Sequence, residues 1–137
     1  MNILYLLRIK SDVSYVYDNN TLRQGLERMK LKGYTAIPVI TRDGDYVGTV
    51  SEGDFLWHII EHGQGNMRAQ EDYKVKDILR PDFMPAVKVS AKPSELIERA
   101  MSQNFVPVVD DRNKFIGIVT RRDIIRYFVE NGKESQD

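Results

Sequence analysis

The chain is 137 residues long, 42% hydrophobic and 29% charged, the balance of a globular domain large enough to bury a core. Twenty basic residues face twenty acidic ones, so the net charge of zero offers no broad footprint for a phosphate backbone, and nucleic acid is not an expected partner. Cysteine is absent, which excludes disulfides, thiol chemistry and thiolate metal sites, and no apolar run is long enough to span a membrane as a helix.

The first residues, Met1-Asn2-Ile3-Leu4-Tyr5-Leu6-Leu7-Arg8, have no basic residue before their apolar run and no small-residue cleavage pattern after it. A cytoplasmic location is expected on that ground. Val13 to Tyr17, rich in Val and Tyr, reads as a strand, and Asp18-Asn19-Asn20 as a turn. Thr21 and Gln24 have capping-box spacing, Leu22, Leu26 and Met29 form one apolar helix face, and Gly33 ends that helix. Ala36 to Ile40 is a second strand, Arg42-Asp43-Gly44-Asp45 a hairpin turn, and Tyr46 to Ser51 the returning strand. A helix from Glu52 is expected to bury Phe55, Leu56, Ile59 and Ile60.

The same order then recurs. Strands are read at Ala86 to Val89, Val106 to Val109 and Phe115 to Val119, with helices from Ser94 to about Ser102 and from Arg121 to Val129. The last helix is expected to bury Ile124, Ile125, Phe128 and Val129. Pro38 returns as Pro107, Val39 as Val108, Gly48 as Gly117, Val50 as Val119 and Asp54 as Asp123, each 69 positions later. A duplicated unit packs against its copy, so one body with two βαββα halves is expected: a first repeat over 1–61, a linker over 62–71, a second repeat over 72–131 and a solvated tail over 132–137. The copies differ between helix and strand, because Met29 to Pro38 spans nine residues and Met101 to Pro107 six.

Ser51 with Asp54, and Thr120 with Asp123, place a hydroxyl at a strand end and an aspartate in the first helical turn. Free N–H groups at such a turn attract anions, and an ionised carboxylate accepts two hydrogen bonds from a ribose diol. The same spacing serves a capping box, which stabilises a helix start by roughly 1 kcal/mol without any ligand. Arg121 and Arg122 stand where the first copy has Glu52 and Gly53, which favours a phosphate at the second motif and opposes one at the first. His58 and His62 have helical i, i+4 spacing but neither recurs in the second copy, so they read as surface or interface histidines; Met29 and Met101 read as core filler. No Ser/His/Asp set, P-loop or paired-carboxylate motif is present, and no enzyme activity is expected.

Ala36-Ile37-Pro38-Val39 and Phe105-Val106-Pro107-Val108, followed by these Gly, Ser/Thr and Asp positions, resemble the CBS domain, whose tandem pairs are called Bateman modules. Val75-Lys76-Asp77-Ile78-Leu79-Arg80-Pro81 is similar to the lead-in segment of such a domain. The resemblance implies an α+β pair of repeats packed sheet to sheet about a pseudo-two-fold axis, with two clefts for adenosine-containing ligands. One cleft would join Thr120, Arg121, Arg122 and Asp123 to Ser14, Thr35 and Ala36; the other would join Ser51 and Asp54 to Ala86, Asn104 and Phe105. It also implies a homodimer formed through helices, with Phe55, Trp57 or Ile59 and their counterparts Ile124, Arg126 and Phe128 near the interface. The expected function is that of a stand-alone regulatory module with no cofactor of its own, sensing AMP, ADP or ATP, with an AMP-type ligand first. The alternatives are a receptor for S-adenosylmethionine or for cyclic di-AMP, which a small bacterial CBS protein similar in its Gly33 to Val39 and Thr120 to Arg122 runs recognises, or a ligand-free interaction module.

Overall fold

The structure, a computed structural model, describes residues 2–63 and 71–135. Among these the elements run α1 (Ile3–Leu6), β1 (Arg8–Ile9), β2 (Val16–Tyr17), α2 (Leu22–Lys32), β3 (Ala36–Ile40), β4 (Tyr46–Ser51), α3 (Glu52–His58), β5 (Val87–Lys88), α4 (Pro93–Ser102), β6 (Phe105–Val109), β7 (Phe115–Thr120) and α5 (Arg121–Ser135). A π turn, Ile59–Gly63, prolongs α3, and 3-10 turns lie at Lys10–Asp12 and Val75–Ile78. Residues 64–70 of the expected linker and the last two of the expected tail lie outside the described residues.

The chain divides into two compact units, Ser14–Phe83 and Met1–Val13 with Met84–Asp137. In the Ser14–Phe83 unit the sheet order is β2-β3-β4, with β2 parallel to β3 and β3 antiparallel to β4. Its core gathers Val16, Leu22, Met29, Ile37, Val39, Val50, Phe55 and Val75, and burying each large apolar side chain stabilises by about 1.5–3 kcal/mol. The capping box expected at Thr21 and Gln24 closes both ways, and Gly33 ends α2 with a left-handed φ of 69°.

In the other unit the sheet has four strands, β1-β7-β6-β5, and its core gathers Ile3, Val87, Leu96, Ala100, Val106, Val108, Val119 and Ile124. The additional strand comes from the N-terminal segment, where Arg8 pairs with Ile118 and Ile9 with Gly117. The corresponding stretch of the Ser14–Phe83 unit, Leu79-Arg80-Pro81, forms no strand. Where β1 has Ile9 this stretch has Pro81, which lacks the N–H a ladder needs.

Prolines also explain why two expected strands shrink. Val13 to Tyr17 contributes only Val16–Tyr17, and Ala86 to Val89 only Val87–Lys88. β2 joins β3 from Val39 onward and β5 joins β6 from Val108 onward, immediately after Pro38 and Pro107, whose missing N–H groups stop the ladder there. At the other end of the chain α5 continues past the expected stop at Val129 to Ser135, so the expected tail begins as helix. Asn131, turned back to donate from Nδ2 to the Tyr127 carbonyl at 2.9 Å, satisfies that turn internally.

Three further expectations are corrected. Leu56 and Ile60 are 57% and 63% exposed, and their counterparts Ile125 and Val129 are 56% and 68% exposed; only Phe55 and Ile124 of the expected faces are buried. Met101 is 80% exposed while Ala100 is buried beside Leu96, so Ala100 is the position matching Met29 and the true difference between the copies is small. Three residues join α2 to β3 and two join α4 to β6. His58 is buried rather than superficial.

Candidate nucleotide site

β7 delivers Thr120 to the start of α5, where its Oγ1 accepts the Asp123 backbone N–H at 3.1 Å. The Asp123 carboxylate turns onto Arg8, receiving Nε at 2.8 Å and Nη2 at 3.2 Å. This guanidinium, and then the Thr120 hydroxyl, hold the Asp123 carboxyl below the ordinary carboxylate range against an opposing desolvation, so it is ionised at neutral pH. Beside it lies a hollow of about 360 Å³ lined by Tyr5, Arg8, Asp123, Arg126, Tyr127 and Glu130 among others. Phe105 pairs with Thr120 across the ladder, and the Arg121 N–H donates to the Asn104 carbonyl, so within this unit Thr120 and Arg121 adjoin two residues that were expected in the other cleft, with Ser51 and Asp54. Ala86 lies just before β5 in the same unit.

Arg121 answers a different need from the one its position suggested. Its Nε donates to the Ala100 carbonyl at 2.7 Å, in the last turn of α4, so a cation at the positive end of α5 is matched to the negative end of another helix. Arg122 is exposed at the same helix start.

In the Ser14–Phe83 unit the equivalent motif is closed. Ser51 Oγ accepts the Asp54 N–H at 3.3 Å, while Asp54 Oδ2 takes the Ser51 N–H at 2.8 Å, the Ser51 hydroxyl at 3.0 Å and Arg80 Nη2 at 3.4 Å. Arg80 Nε also lies 2.7 Å from Oδ1. The capping box is complete here, and the Asp54 side chain is 8% exposed against 17% for Asp123. Ala36 pairs with Ser51, and Glu52 donates its N–H to the Thr35 carbonyl, repeating the Phe105–Thr120 and Arg121–Asn104 relations. Ser14 is buried and Thr35 exposed.

Neither arginine partner was identified from sequence. The signal was there: Leu7-Arg8 and Leu79-Arg80 precede the copies as a second echo, offset by 72 positions rather than 69. A larger hollow of about 510 Å³, in the Ser14–Phe83 unit, is lined by Tyr15, Tyr17, Arg28 and Arg42 and holds no hydroxyl–aspartate pair. Among the described residues no group of three or more His, Asp or Glu side chains could hold a metal ion, and no helix is long and apolar enough to cross a membrane.

The doubled arrangement of strand, hydroxyl, aspartate and lead-in arginine agrees with a family comparison, in which the model of the CBS domain matches residues 7–61 and again 75–130. The chain belongs to the CBS domain family. Among solved CBS structures it is similar over its whole length to CbpB in complex with c-di-AMP (TM-score 0.88, 22% identity, 90% of that chain covered). The Listeria monocytogenes CbpB in complex with c-di-AMP gives a TM-score of 0.83 at 27% identity, covering 93% of this chain and 94% of that one. CBSX2 in complex with AMP gives 0.75 at 24% identity, covering 94% and 96%. A relative, the uncharacterized protein MJ1225 of Methanocaldococcus jannaschii, is 26% identical over 128 residues, which cover 88% of this chain, and the chain spans 45% of its length.

Proposed function

We propose that this CBS pair is a regulatory module that binds an AMP-type adenine nucleotide at the Asp123 motif and passes its presence on through a homodimer or a protein partner, with no catalysis of its own. One observation carries the reading: an ionised carboxylate and a hydroxyl are presented together at the start of a helix, beside a hollow. A ribose diol donates to the carboxylate, and the basic helix start with Arg122 favours a phosphate. Asp54, engaged by Ser51 and Arg80, serves chiefly as a helix cap. The AMP complex of CBSX2 supports the choice of ligand.

A second reading has its own support, because the Listeria CbpB similar to this chain is solved with c-di-AMP. That ligand would use Thr120, Arg121 and Arg122 with less demand on Asp123, since its 3′ oxygens are esterified.

Exposed apolar strips support the dimer: Leu56, Trp57 and Ile60 on one helix, and Ile125, Phe128 and Val129 on the other. Phe55 and Ile124 lie in the cores and are withdrawn from the interface. Thermal-shift titration against AMP, ATP, S-adenosylmethionine and c-di-AMP tests the function. AMP at a hundred times its Kd should stabilise the fold by about 2.7 kcal/mol, and stabilisation by none of the four would leave only an interaction module.

A further inference from the structure

We propose that Arg8 determines ligand specificity at the Asp123 motif: it occupies the carboxylate edge that a ribose diol would take, so a ligand with a free 2′,3′-diol must displace it and a ligand without one leaves it in place. The inference deepens the nucleotide-binding reading and rests on it.

The argument begins with the shape of the donors. Arg8 presents Nε and Nη2 as a planar two-donor fork, and it meets Oδ2 at 2.8 Å and Oδ1 at 3.2 Å, one bond to each oxygen. A vicinal diol is also a two-donor fork, and a carboxylate has one edge that offers both oxygens at once. The two forks therefore compete. A cyclic dinucleotide joined through its 3′ oxygens has no such fork and does not compete in this way.

Arg8 is built to leave. It is half exposed, and it sits on a two-residue strand at the sheet edge, anchored through Ile118 and Gly117. Arg80 forms the same fork on Asp54, but there the Ser51 N–H and hydroxyl both bond the carboxylate, so displacing Arg80 would not clear its edge, whereas at Asp123 the Thr120 hydroxyl contributes less than Arg8 does. The lowered ionisation range of Asp123 agrees with Arg8 as its main partner. Displacement would also release β1 from part of its hold, which links occupancy of the motif to the N-terminal segment.

Calorimetric titration of wild-type protein, Arg8→Ala and Arg8→Gln against AMP, 2′-deoxy-AMP and c-di-AMP tests this. Removing the competing fork should tighten AMP by roughly three- to tenfold while changing 2′-deoxy-AMP and c-di-AMP much less. Hydrogen exchange on the wild-type protein supplies a readout that needs no variant: AMP should speed exchange of the amides of residues 7–9. If wild-type protein binds AMP but Arg8→Ala and Arg8→Gln bind it no tighter, or lose AMP and 2′-deoxy-AMP alike, Arg8 does not compete and the inference falls while the nucleotide reading stands. Slower exchange over residues 7–9 on adding AMP overturns it equally. If neither wild-type protein nor the variants bind any of the three, the nucleotide reading fails and takes the inference with it.

Discussion

Gly117 lies so close beneath the Arg8 carbonyl that a Cβ placed on it would come within 2.1 Å of the oxygen, at a backbone φ of 154°. Gly48 is its counterpart at φ 153°, but there a Cβ would meet the Leu79 Cδ2 at 3.0 Å, the far end of a flexible side chain. Each glycine makes room for one lead-in segment, and only one of the two contacts can yield.

Gly117→Ala should therefore cost clearly more than Gly48→Ala. Backbone strain of about 1–3 kcal/mol applies to both, and Gly117→Ala adds expulsion of β1 from the ladder. Chemical denaturation of the two variants, with hydrogen exchange over residues 7–9, measures this. Equal losses, with β1 still protected in Gly117→Ala, would show that the N-terminal strand does not depend on that glycine.

The Arg8–Asp123 pair makes an acid-range prediction. Its folded carboxyl range is depressed, so the stability it contributes is fully present above the unfolded aspartate range near pH 3.9 and is lost as pH falls through the folded one. With Arg8 half exposed, the contribution is roughly 0.2–1 kcal/mol. The stability difference between wild type and Arg8→Ala should hold steady from pH 7 to pH 5 and shrink below pH 4. A difference that persists unchanged at pH 2.5 would mean the arginine acts through packing alone.

His58 makes the opposite half of the pH profile. Burial, and then the neighbouring His62, hold its imidazole below the ordinary range while Glu61 and Asp77 pull the other way. The ring stacks 4.8 Å from His62 and meets Tyr73 edge-on at 4.4 Å, with Nε2 buried and without a hydrogen-bond partner among the described residues. The neutral form is the folded one, so stability is full above about pH 6.5 and falls as acid protonates the unfolded chain first. Replacing His58 with Phe should flatten the loss between pH 7 and pH 5 in denaturation series. An unchanged slope would assign that loss to other groups.

The exposed helix strips predict association. Trp57→Glu and Phe128→Glu should each shift the protein toward monomer in sedimentation velocity, whereas Leu31→Glu, at another exposed apolar residue, should not. Wild-type protein that sediments as a monomer at all concentrations would remove the dimer from the mechanism.

Much of the fold was legible because the repeat and its turn chemistry agree. Thr21 and Gln24, Gly33, and the Pro38 and Pro107 strands all stand where periodicity and capping spacing put them. Periodicity could not tell which side of α3 and α5 meets the core: Leu56 and Ile125 are as apolar as Phe55 and Ile124, and only packing separates them. The hydroxyl–aspartate motif was legible for the same local reason, since residues three apart at a helix start must meet. Arg8 and Arg80 were not, because their partners lie 115 and 26 residues away and depend on which unit each lead-in segment joins.

The unequal engagement of the two aspartates gives the most direct test of nucleotide sensing. AMP affinity by isothermal titration calorimetry, compared among wild type, Asp123→Ala and Asp54→Ala with folding checked by thermal melts, should fall at least about tenfold in Asp123→Ala, the loss expected for hydrogen bonds to a charged group. In Asp54→Ala it should fall little, although that variant should lose more stability through its broken cap and unpaired Arg80. Equal affinity in wild type and Asp123→Ala would contradict the assignment of the nucleotide to the Asp123 motif.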